Sequence, residues 1–377
     1  MSAWPGKYII GLTGNIASGK SVVRKMLEHL GAYGIDADAL GHRAIAKDAP
    51  GYKPVVETFG KWILGPDGQA DRSKLARIVF SDADALAQLE AIVHPLVREA
   101  VSLMVRRSKQ SVIVIEAIKL LESPIRHSCD AIWVTYAPPD VQLTRLMQKR
   151  GMDEETAHQR IKAQPSQEEK IAAADVLIRN DGSFEETWKQ VAAIWQEKFA
   201  AVEPALTKPA VVAKGEMTVE RARPRQASDI AMFINMISGG QRRLNHDDIM
   251  AAFGEKAFLF LKVDNKPVGL VGWQVENLVA RTDDVYLDPH LSLQMAMKHI
   301  MEEVERTSRD LQCEASLLFL PPYLARHADV WNGLGYEPRT VQSLGVRAWQ
   351  EAAQENASHG TVMLFKQLRK DRVLRPV

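Results

Sequence analysis

The sequence is poor in cysteine, in net charge and in long apolar runs. Its 377 residues contain two cysteines, Cys129 and Cys313, whose wide separation excludes a disulfide framework and favours a reducing cytoplasm. A net charge of +1 provides no overall field that would attract nucleic acid or an acidic membrane. No apolar run is long enough to cross a bilayer, and the N-terminus lacks the basic and apolar segments of a signal peptide. We therefore expect a cytoplasmic protein with no nucleic-acid or membrane partner, and its oligomeric state stays open.

One glycine-rich stretch has the pattern of a phosphate-binding loop, or P-loop. Residues 14–21 read GNIASGKS and fit G-x-x-x-x-G-K-[ST], between a strand predicted over residues 8–12 and an amphipathic helix predicted over residues 21–30. Glycine permits the backbone conformations that turn N–H groups toward phosphate oxygens, and the helix N-terminus adds its dipole. Lys20 would reach the β- and γ-phosphates, and Ser21 would hold Mg²⁺. The residues predicted to bind ATP here are Gly14, Asn15, Ile16, Ala17, Ser18, Gly19, Lys20, Ser21 and Val22.

Three acids follow predicted strands and are expected at the same edge of the sheet. Residues 35–38 read IDAD, and the apolar run of residues 111–116 ends on Glu116. In a doubly wound sheet the carboxyl ends of the strands meet at the ligand crevice, so Asp36 and Asp38 would lie near the P-loop. Two residues apart on a strand, they would share a face and act together, or Asp38 would instead cap a helix that we predict from Ala39. Glu116 has a position like the Walker B acid, which contacts Mg²⁺ directly or through water.

Two further features have both a functional and a structural interpretation. Predicted helices over residues 140–150 and 153–163 are rich in basic residues and follow the strand core, where nucleotide kinases place their lid. The same charges would suit an ordinary solvated face. His94 precedes Pro95, which we expect to interrupt a helix, and a histidine in this position is more often structural.

The chain divides into two predicted domains. Residues 202–215 contain two prolines and two lysines without periodicity, which is typical of a linker. Residues 1–201 alternate strands and helices as in a parallel α/β sheet, whereas residues 216–377 have the element order of an α+β domain. We expect each half to bury a core of its own.

The first domain resembles dephospho-CoA kinase over residues 8–199. The shared motifs are GNIASGKS at 14–21, IDAD at 35–38, DRSKL at 71–75, HPLV at 94–97, QLTRLMQKRG at 142–151 and NDG at 180–182, in the family's order. The resemblance implies a P-loop kinase domain with a parallel sheet and a helical lid. It also implies the reaction, in which ATP phosphorylates the ribose 3′-hydroxyl of dephospho-CoA to give CoA, the last step of CoA biosynthesis.

Site residues are implied by the same motif match. It makes Asp38 the catalytic base, which agrees with the need of an attacking hydroxyl to lose its proton. Lys20 and Arg145 would stabilise the charge on the transferred phosphoryl group as the lid closes and excludes water. Further residues implied are Lys149 or Arg150 in the lid, Asn180 near the adenine of ATP, and Asp36, Arg72, His94 and Glu116 on the acceptor side.

One loop departs from the family pattern. The family usually has Asp-x-Pro-Leu-Leu-x-Glu after its third core strand, whereas residues 116–122 here read EAIKLLE. Ile118 stands in place of the proline and Lys119 in place of a leucine, so acceptor binding is where this chain would differ. Lys119 would meet a phosphate of the CoA moiety or face solvent, and solvent is the simpler expectation.

The second domain resembles the GNAT-type acetyltransferase fold over residues 217–368. The strand and helix order fits, and residues 330–337, VWNGLGYE, are similar to the family's helix and following turn. A GNAT enzyme binds the pyrophosphate of acetyl-CoA with a glycine-containing loop before a helix. The corresponding residues 288–296 contain no glycine, and none occurs between Gly272 and Gly333. We therefore expect no conventional acetyltransferase, while a CoA sensor and a scaffold both stay open and Ser292 could still cap the helix.

Two alternatives to the kinase assignment remain at this point. The chain would be a nucleotide-binding regulator with a CoA-sensing domain, or a P-loop kinase for another small molecule. The presence of Lys20, Asp38 and Arg145 together favours an enzyme, because a binding module does not need a base. ATP and dephospho-CoA are thus the expected partners, with Mg²⁺ accompanying ATP.

Overall fold

The computed structural model describes residues 4–79, 81–199, 215–354, 360–371 and 373–374. The predicted linker of residues 202–215 lies outside this part of the chain except for Gly215, and so do the side chains of Lys149 and Arg150. Among the described residues, no helix is both long and apolar enough to span a membrane.

The N-terminal domain is built on a five-stranded parallel sheet. Apolar residues fill its strands almost continuously, as expected for strands that are buried on both faces. The strands are β1 (Tyr8–Thr13), β2 (Tyr33–Asp36), β3 (Val112–Glu116), β4 (Ala131–Tyr136) and β5 (Val176–Arg179), in the order β2-β3-β1-β4-β5. The register places Leu12 and Asp36 on either side of Glu116, so the carboxyl ends of β1, β2 and β3 meet.

Helices cover both faces of this sheet. The helices are α1 (Lys20–Leu30), α2 (Ala37–Ala44), α3 (Tyr52–Phe59), α4 (Arg72–Val79), α5 (Ala83–Arg107), α6 (Pro139–Arg150), α7 (Glu154–Lys162), α8 (Gln167–Ala172) and α9 (Phe184–Phe199). Because side chains alternate along a strand, Ile9 packs toward α2 and α5 while Ile10 packs toward α1 and α9. This is the parallel α/β arrangement that the sequence predicts.

Helix α5 runs through Pro95 without a break. Proline removes one main-chain hydrogen bond, but Val97, Val101 and Met104 bury the second half of the helix in the same core as α2. Tertiary packing thus outweighs the local cost of the proline. The interruption predicted at His94 and Pro95 is therefore wrong.

The C-terminal domain has a mixed sheet. Its strands are β6 (Met217–Arg221), β7 (Ala257–Val263), β8 (Lys266–Glu276), β9 (Val279–Leu287), β10 (Ala315–Leu320), β11 (Glu337–Pro338) and β12 (Val362–Gln367). They lie in the order β11-β12-β10-β9-β8-β7-β6, with β9 and β10 parallel and the other neighbours antiparallel. Asp264 and Asn265, both with positive φ, form the turn predicted between β7 and β8. A parallel α/β domain followed by an α+β domain confirms the predicted fold class.

Helices complete this second domain. They are α10 (Ala227–Ile237), α11 (His246–Ala252), α12 (Leu293–Asp310), α13 (Pro322–Ala325), α14 (Ala328–Gly333) and α15 (Arg347–Gln354). Helix α12 buries Met297, Ile300 and Val304 against the sheet. Ser292 caps α12 by accepting the N–H of Met295, as the sequence suggests.

The two domains share part of a core. Leu278, in the turn between β8 and β9, packs with Val373 and Leu374 in the same cluster as α2 and α5 of the N-terminal domain. Each domain also has a cluster formed only from its own residues. Each half therefore buries a core of its own, as expected, and C-terminal residues also complete a further core of the first domain.

Candidate active site

The loop of residues 14–19 connects β1 to α1 and depends on its glycines. Gly14 and Gly19 have φ angles of 152° and 95°, which other residues rarely adopt. A Cβ at Gly14 would collide with Thr135, and a Cβ at Gly19 would collide with the side-chain amide of Asn180. Glycine is therefore needed at both positions, and the loop packs closely against Thr135 of β4 and against Asn180, which follows β5.

Asn180 lies directly on this loop. It follows β5, is buried, and donates its amide to the Ser18 carbonyl at 2.9 Å. The hydroxyl of Thr187 in α9 donates to the Asn180 Oδ1 at 3.0 Å and so fixes the orientation of the amide. The fold brings together a predicted nucleotide-site residue and the P-loop across 162 positions of sequence.

Residues between α7 and α8 form hydrogen bonds with the first half of the P-loop. Gln164 accepts the N–H of Ile16 on its Oε1 at 2.7 Å, and Asn15 donates its side-chain amide to the Pro165 carbonyl at 3.0 Å. Lys20 is buried at the start of α1 and places its Nζ 3.2 Å from the carbonyl oxygen of Asn15. The lid segment, the P-loop and the predicted phosphate-binding lysine are therefore in one contact network.

Glu116 joins the first turns of α1 to the end of β3. Ser21 donates its hydroxyl to Glu116 Oε1 at 2.8 Å, and Arg24 donates its Nε to Oε2 at 2.7 Å. A buried carboxylate requires such partners, because an unpaired charge away from water is costly. Hydroxyl and carboxylate oxygens are also ligands that suit Mg²⁺ when phosphate oxygens supply the rest. In the part of the chain that the structure describes, no group of three or more His, Cys, Asp or Glu side chains could hold a metal by itself.

Asp36, not Asp38, caps helix α2. Strand β2 ends at Asp36, whose Oδ1 accepts the N–H of Ala39 at 2.8 Å. Burial and the nearby Glu116 carboxylate raise the pKa of Asp36 to about 6. Because the helix begins two residues earlier than predicted, Asp38 lies in its first turn and does not share a strand face with Asp36. Both the capping alternative for Asp38 and the shared strand face are wrong.

The carboxylate of Asp38 is held by the loop that follows β3. Its Oδ2 accepts the backbone N–H of Ile118 at 3.0 Å. Burial raises the pKa of Asp38, and this N–H and the charges of Lys20 and Lys170 oppose the shift. Asp38 is therefore a half-buried, oriented carboxylate that is stabilised by the charge of Lys20.

Lys170 is a site residue that the sequence analysis missed. It lies in α8, is only 2% exposed, and donates its Nζ to the carbonyl of Ile118 at 3.0 Å. The Thr13 hydroxyl donates to the same carbonyl at 3.1 Å. Burial, and then the proximity of Lys20, lower the pKa of Lys170. In the sequence this residue resembles any lysine of a polar helix. Only the fold reveals that Lys170 and Asp38 bond the two backbone groups of the same residue, Ile118.

Arg145 reaches from α6 to the P-loop. Its Nη1 donates to the carbonyl of Ala17 at 3.2 Å, and its Nη2 donates to the carbonyl of Asn180 at 2.8 Å. Burial lowers the pKa of Arg145, but an arginine remains charged at neutral pH. The predicted lid arginine thus places a positive charge beside the loop.

The remaining predicted residues lie on α4, α5 and the loop after β3. Arg72 begins α4 and forms an ion pair with Glu351 of the C-terminal domain at 3.1 Å. His94 is half-buried in the middle of α5. Lys119 is 56% exposed and pairs with Glu90 at 3.2 Å, which agrees with the expectation that it faces solvent.

Comparison with known proteins assigns the family. A family model described as dephospho-CoA kinase matches residues 8–186. The dephospho-CoA kinase of Geobacter sulfurreducens is 42% identical over 194 residues, which are 51% of this chain and 98% of that protein. The chain belongs to the dephospho-CoA kinase family. The dephospho-CoA kinase of Aquifex aeolicus is 46% identical over 189 residues, 50% of this chain and 96% of that protein. The N-terminal half is a dephospho-CoA kinase, which confirms the phosphotransferase activity expected from its motifs.

The C-terminal half is similar to solved structures of a different kind. An acetyltransferase of the GNAT family from Staphylococcus aureus Mu50 matches 41% of this chain and 100% of its own chain. The identity is 11% and the TM-score is 0.33.

Proposed function

We propose that Asp38 is the general base of the dephospho-CoA kinase reaction in this chain. The ribose 3′-hydroxyl oxygen attacks the γ-phosphorus of ATP, the bond from that phosphorus to the bridging oxygen breaks, and ADP leaves. The hydroxyl proton passes to the carboxylate of Asp38. The observation that carries this proposal is the half-buried Asp38 carboxylate, held by the Ile118 N–H and not used as a helix cap.

The surroundings of Asp38 suit this role. A raised pKa makes a carboxylate a stronger base than an ordinary aspartate, as long as it remains ionised. The N–H of Ile118 and the charges of Lys20 and Lys170 favour the ionised form. Together these effects support an oriented base that accepts a proton more readily than an ordinary aspartate does.

Positive charges for the transferred phosphoryl group come from separate elements. Lys20 from α1 and Arg145 from α6 would stabilise the negative charge that shifts toward the bridging oxygen as the bond breaks. Lys170 from α8 acts as a positioning residue, because it bonds the carbonyl of Ile118, the residue whose N–H holds Asp38. Asn180 would keep the P-loop in shape beside the adenine side of the nucleotide.

Mg²⁺ is the metal that fits the oxygen donors next to the P-loop. Ser21 would hold it, Glu116 would contact it directly or through water, and ATP phosphates would complete its ligands. When bound, Mg²⁺ neutralises charge on the phosphates. Arg24 keeps the second oxygen of Glu116 occupied and so orients the carboxylate toward Ser21.

We assign residues 1–201 to the kinase domain, residues 202–215 to a linker and residues 216–377 to a GNAT-like domain. The proposed substrates are ATP and dephospho-CoA, and the proposed function involves neither nucleic acid nor a membrane. Cys129 and Cys313 do not pair with each other, which agrees with a cytoplasmic location.

An acceptor panel tests the proposal against another small-molecule kinase and against a nucleotide-binding regulator. The full chain is incubated with Mg²⁺, ATP and either dephospho-CoA, adenosine or CoA, and ADP release is followed together with the mass of the acceptor. We expect one added phosphate on dephospho-CoA only, since the 3′-hydroxyl of CoA is already phosphorylated. Phosphorylation of adenosine with dephospho-CoA untouched would support a different kinase, and ATP binding without transfer would support the regulator.

A further inference from the structure

The C-terminal domain holds the far end of the helix that carries Asp38. Arg43, in the last turn of α2, donates its Nη1 to the carbonyl of Asn277 and its Nη2 to the carboxylate of Glu314, both at 2.6 Å. Glu314 is 1% exposed, so this ion pair is shielded from water and from salt. A two-pronged contact from one guanidinium fixes both the distance and the angle between α2 and the C-terminal domain.

Other contacts surround this ion pair and keep the two domains in register. Gln312 donates its amide to the carbonyl of Met104 in α5 at 2.9 Å. Leu278, Val373 and Leu374 lie in the same apolar cluster as the buried face of α2. The C-terminal domain therefore meets the kinase domain through polar contacts that are backed by a common core.

Helix α2 is short and is tied at both ends. At its N-terminus, Asp36 caps the helix and the Ile118 N–H holds Asp38. At its C-terminus, Arg43 ties it to the other domain. Asp38 and Arg43 are five residues apart, about 7.5 Å along a helix axis, so a tilt at one end moves the other.

We infer that the C-terminal domain is a positioning element of the kinase, which fixes α2, and with it Asp38, through Arg43 and Glu314. This inference rests on the proposed role of Asp38 as the base. About half of this chain aligns with 98% of the Geobacter sulfurreducens kinase and 96% of the Aquifex aeolicus kinase. Those two kinases are therefore too short to contain a counterpart of the C-terminal domain. In this chain, the domain has become part of the scaffold for catalysis.

The test removes the tie without leaving a buried charge. Arg43→Met alone would strand Glu314 and could unfold the protein, so the main variant is Arg43→Met combined with Glu314→Gln. The glutamine still offers an oxygen to the N–H of Val373, which bonds the Glu314 carboxylate. The matched control is Lys109→Met, which removes an ion pair of 2.6 Å to Asp310 across the same interface, where Lys109 is 75% exposed.

We expect the double variant to lose kcat on the order of 10- to 100-fold, because small misplacement of a reacting group is costly. The KM for ATP and the melting temperature should stay close to those of the unchanged protein, and Lys109→Met should behave like the unchanged protein in all three measurements. A double variant that melts normally and retains full kcat would overturn the inference. So would a loss of kcat that only follows a matching loss of folded protein.

Asp38→Asn in the same assay separates this inference from the proposed function. If Asp38→Asn is inactive while the double variant is fully active, Asp38 is supported as the base and the positioning role of the C-terminal domain is rejected. If Asp38→Asn retains its turnover, the proposed function fails, and the positioning inference that rests on it fails too.

Discussion

Ile118 donates its backbone N–H to Asp38 Oδ2 over 3.0 Å. This contact occurs in the one loop where the sequence departs from its family's pattern, at the position where the family usually has proline. Proline has no N–H, so the contact requires a residue other than proline at this position. The replacement of the family's proline by Ile118 therefore gives the proposed base a hydrogen-bond donor.

Asp38→Asn should nearly abolish phosphoryl transfer. An amide keeps the shape of the side chain but cannot accept the hydroxyl proton, and loss of a general base typically costs about 10²–10⁴-fold in rate. Affinity for ADP, measured by calorimetry, should stay near that of the unchanged protein, because Asp38 bonds the loop that follows β3 and not the P-loop. Asp140→Asn, an exposed acid of α6, is the control. Retention of most of the turnover by Asp38→Asn would reject the base.

Ile118→Pro should shift the pH dependence of the reaction. The Ile118 N–H lowers the pKa of Asp38, so its removal raises that pKa. The carboxylate is then protonated at a higher pH, and the acidic limb of kcat/KM should move to higher pH. Ile118→Val keeps the N–H and should leave the limb in place. Coincident profiles for the proline and valine variants would contradict this account.

Lys170→Met should lower kcat at neutral pH by on the order of 10-fold. It should also move the acidic limb of kcat/KM to higher pH. Its charge lowers the pKa of Asp38, so neutralising it makes the carboxylate easier to protonate. Lys170→Arg should recover part of the activity, since it keeps the charge. Lys162→Met, an exposed lysine of the neighbouring helix α7, serves as the comparison. If Lys170→Met loses activity but its acidic limb of kcat/KM stays in place, Lys170 contributes only packing.

The full chain should show no acetyl transfer from acetyl-CoA to amine substrates. The segment before α12 has no glycine that would let backbone N–H groups approach a pyrophosphate, although Ser292 caps the helix. Thiol release from acetyl-CoA, with and without a panel of amines, measures this directly. A rate that depends on the amine and exceeds the rate without protein would show that the C-terminal domain is an acetyltransferase after all.

Errors of the sequence analysis concentrate where packing overrides local preference. Pro95 signals a helix break, yet the apolar contacts of α5 on both sides of the proline keep the helix continuous. The sequence predicts a helix from Ala39, which makes Asp38 one candidate for the cap, but α2 begins at Ala37 and Asp36 caps it. Two aspartates two residues apart offer equally good caps, and only the end of β2 decides between them.

By itself, the sequence determined the P-loop, the family and the order of the two domains. Gly14, Gly19, Lys20 and Ser21 lie within eight consecutive residues, and the φ angles that the glycines allow are local properties of the chain. Only the tertiary structure decided that Lys170 and Asp38 both bond the backbone of Ile118 and that Arg43 ties α2 to Glu314. Those contacts span 52, 80 and 271 positions. No local pattern encodes them, because they exist only when distant strands and helices pack against one another.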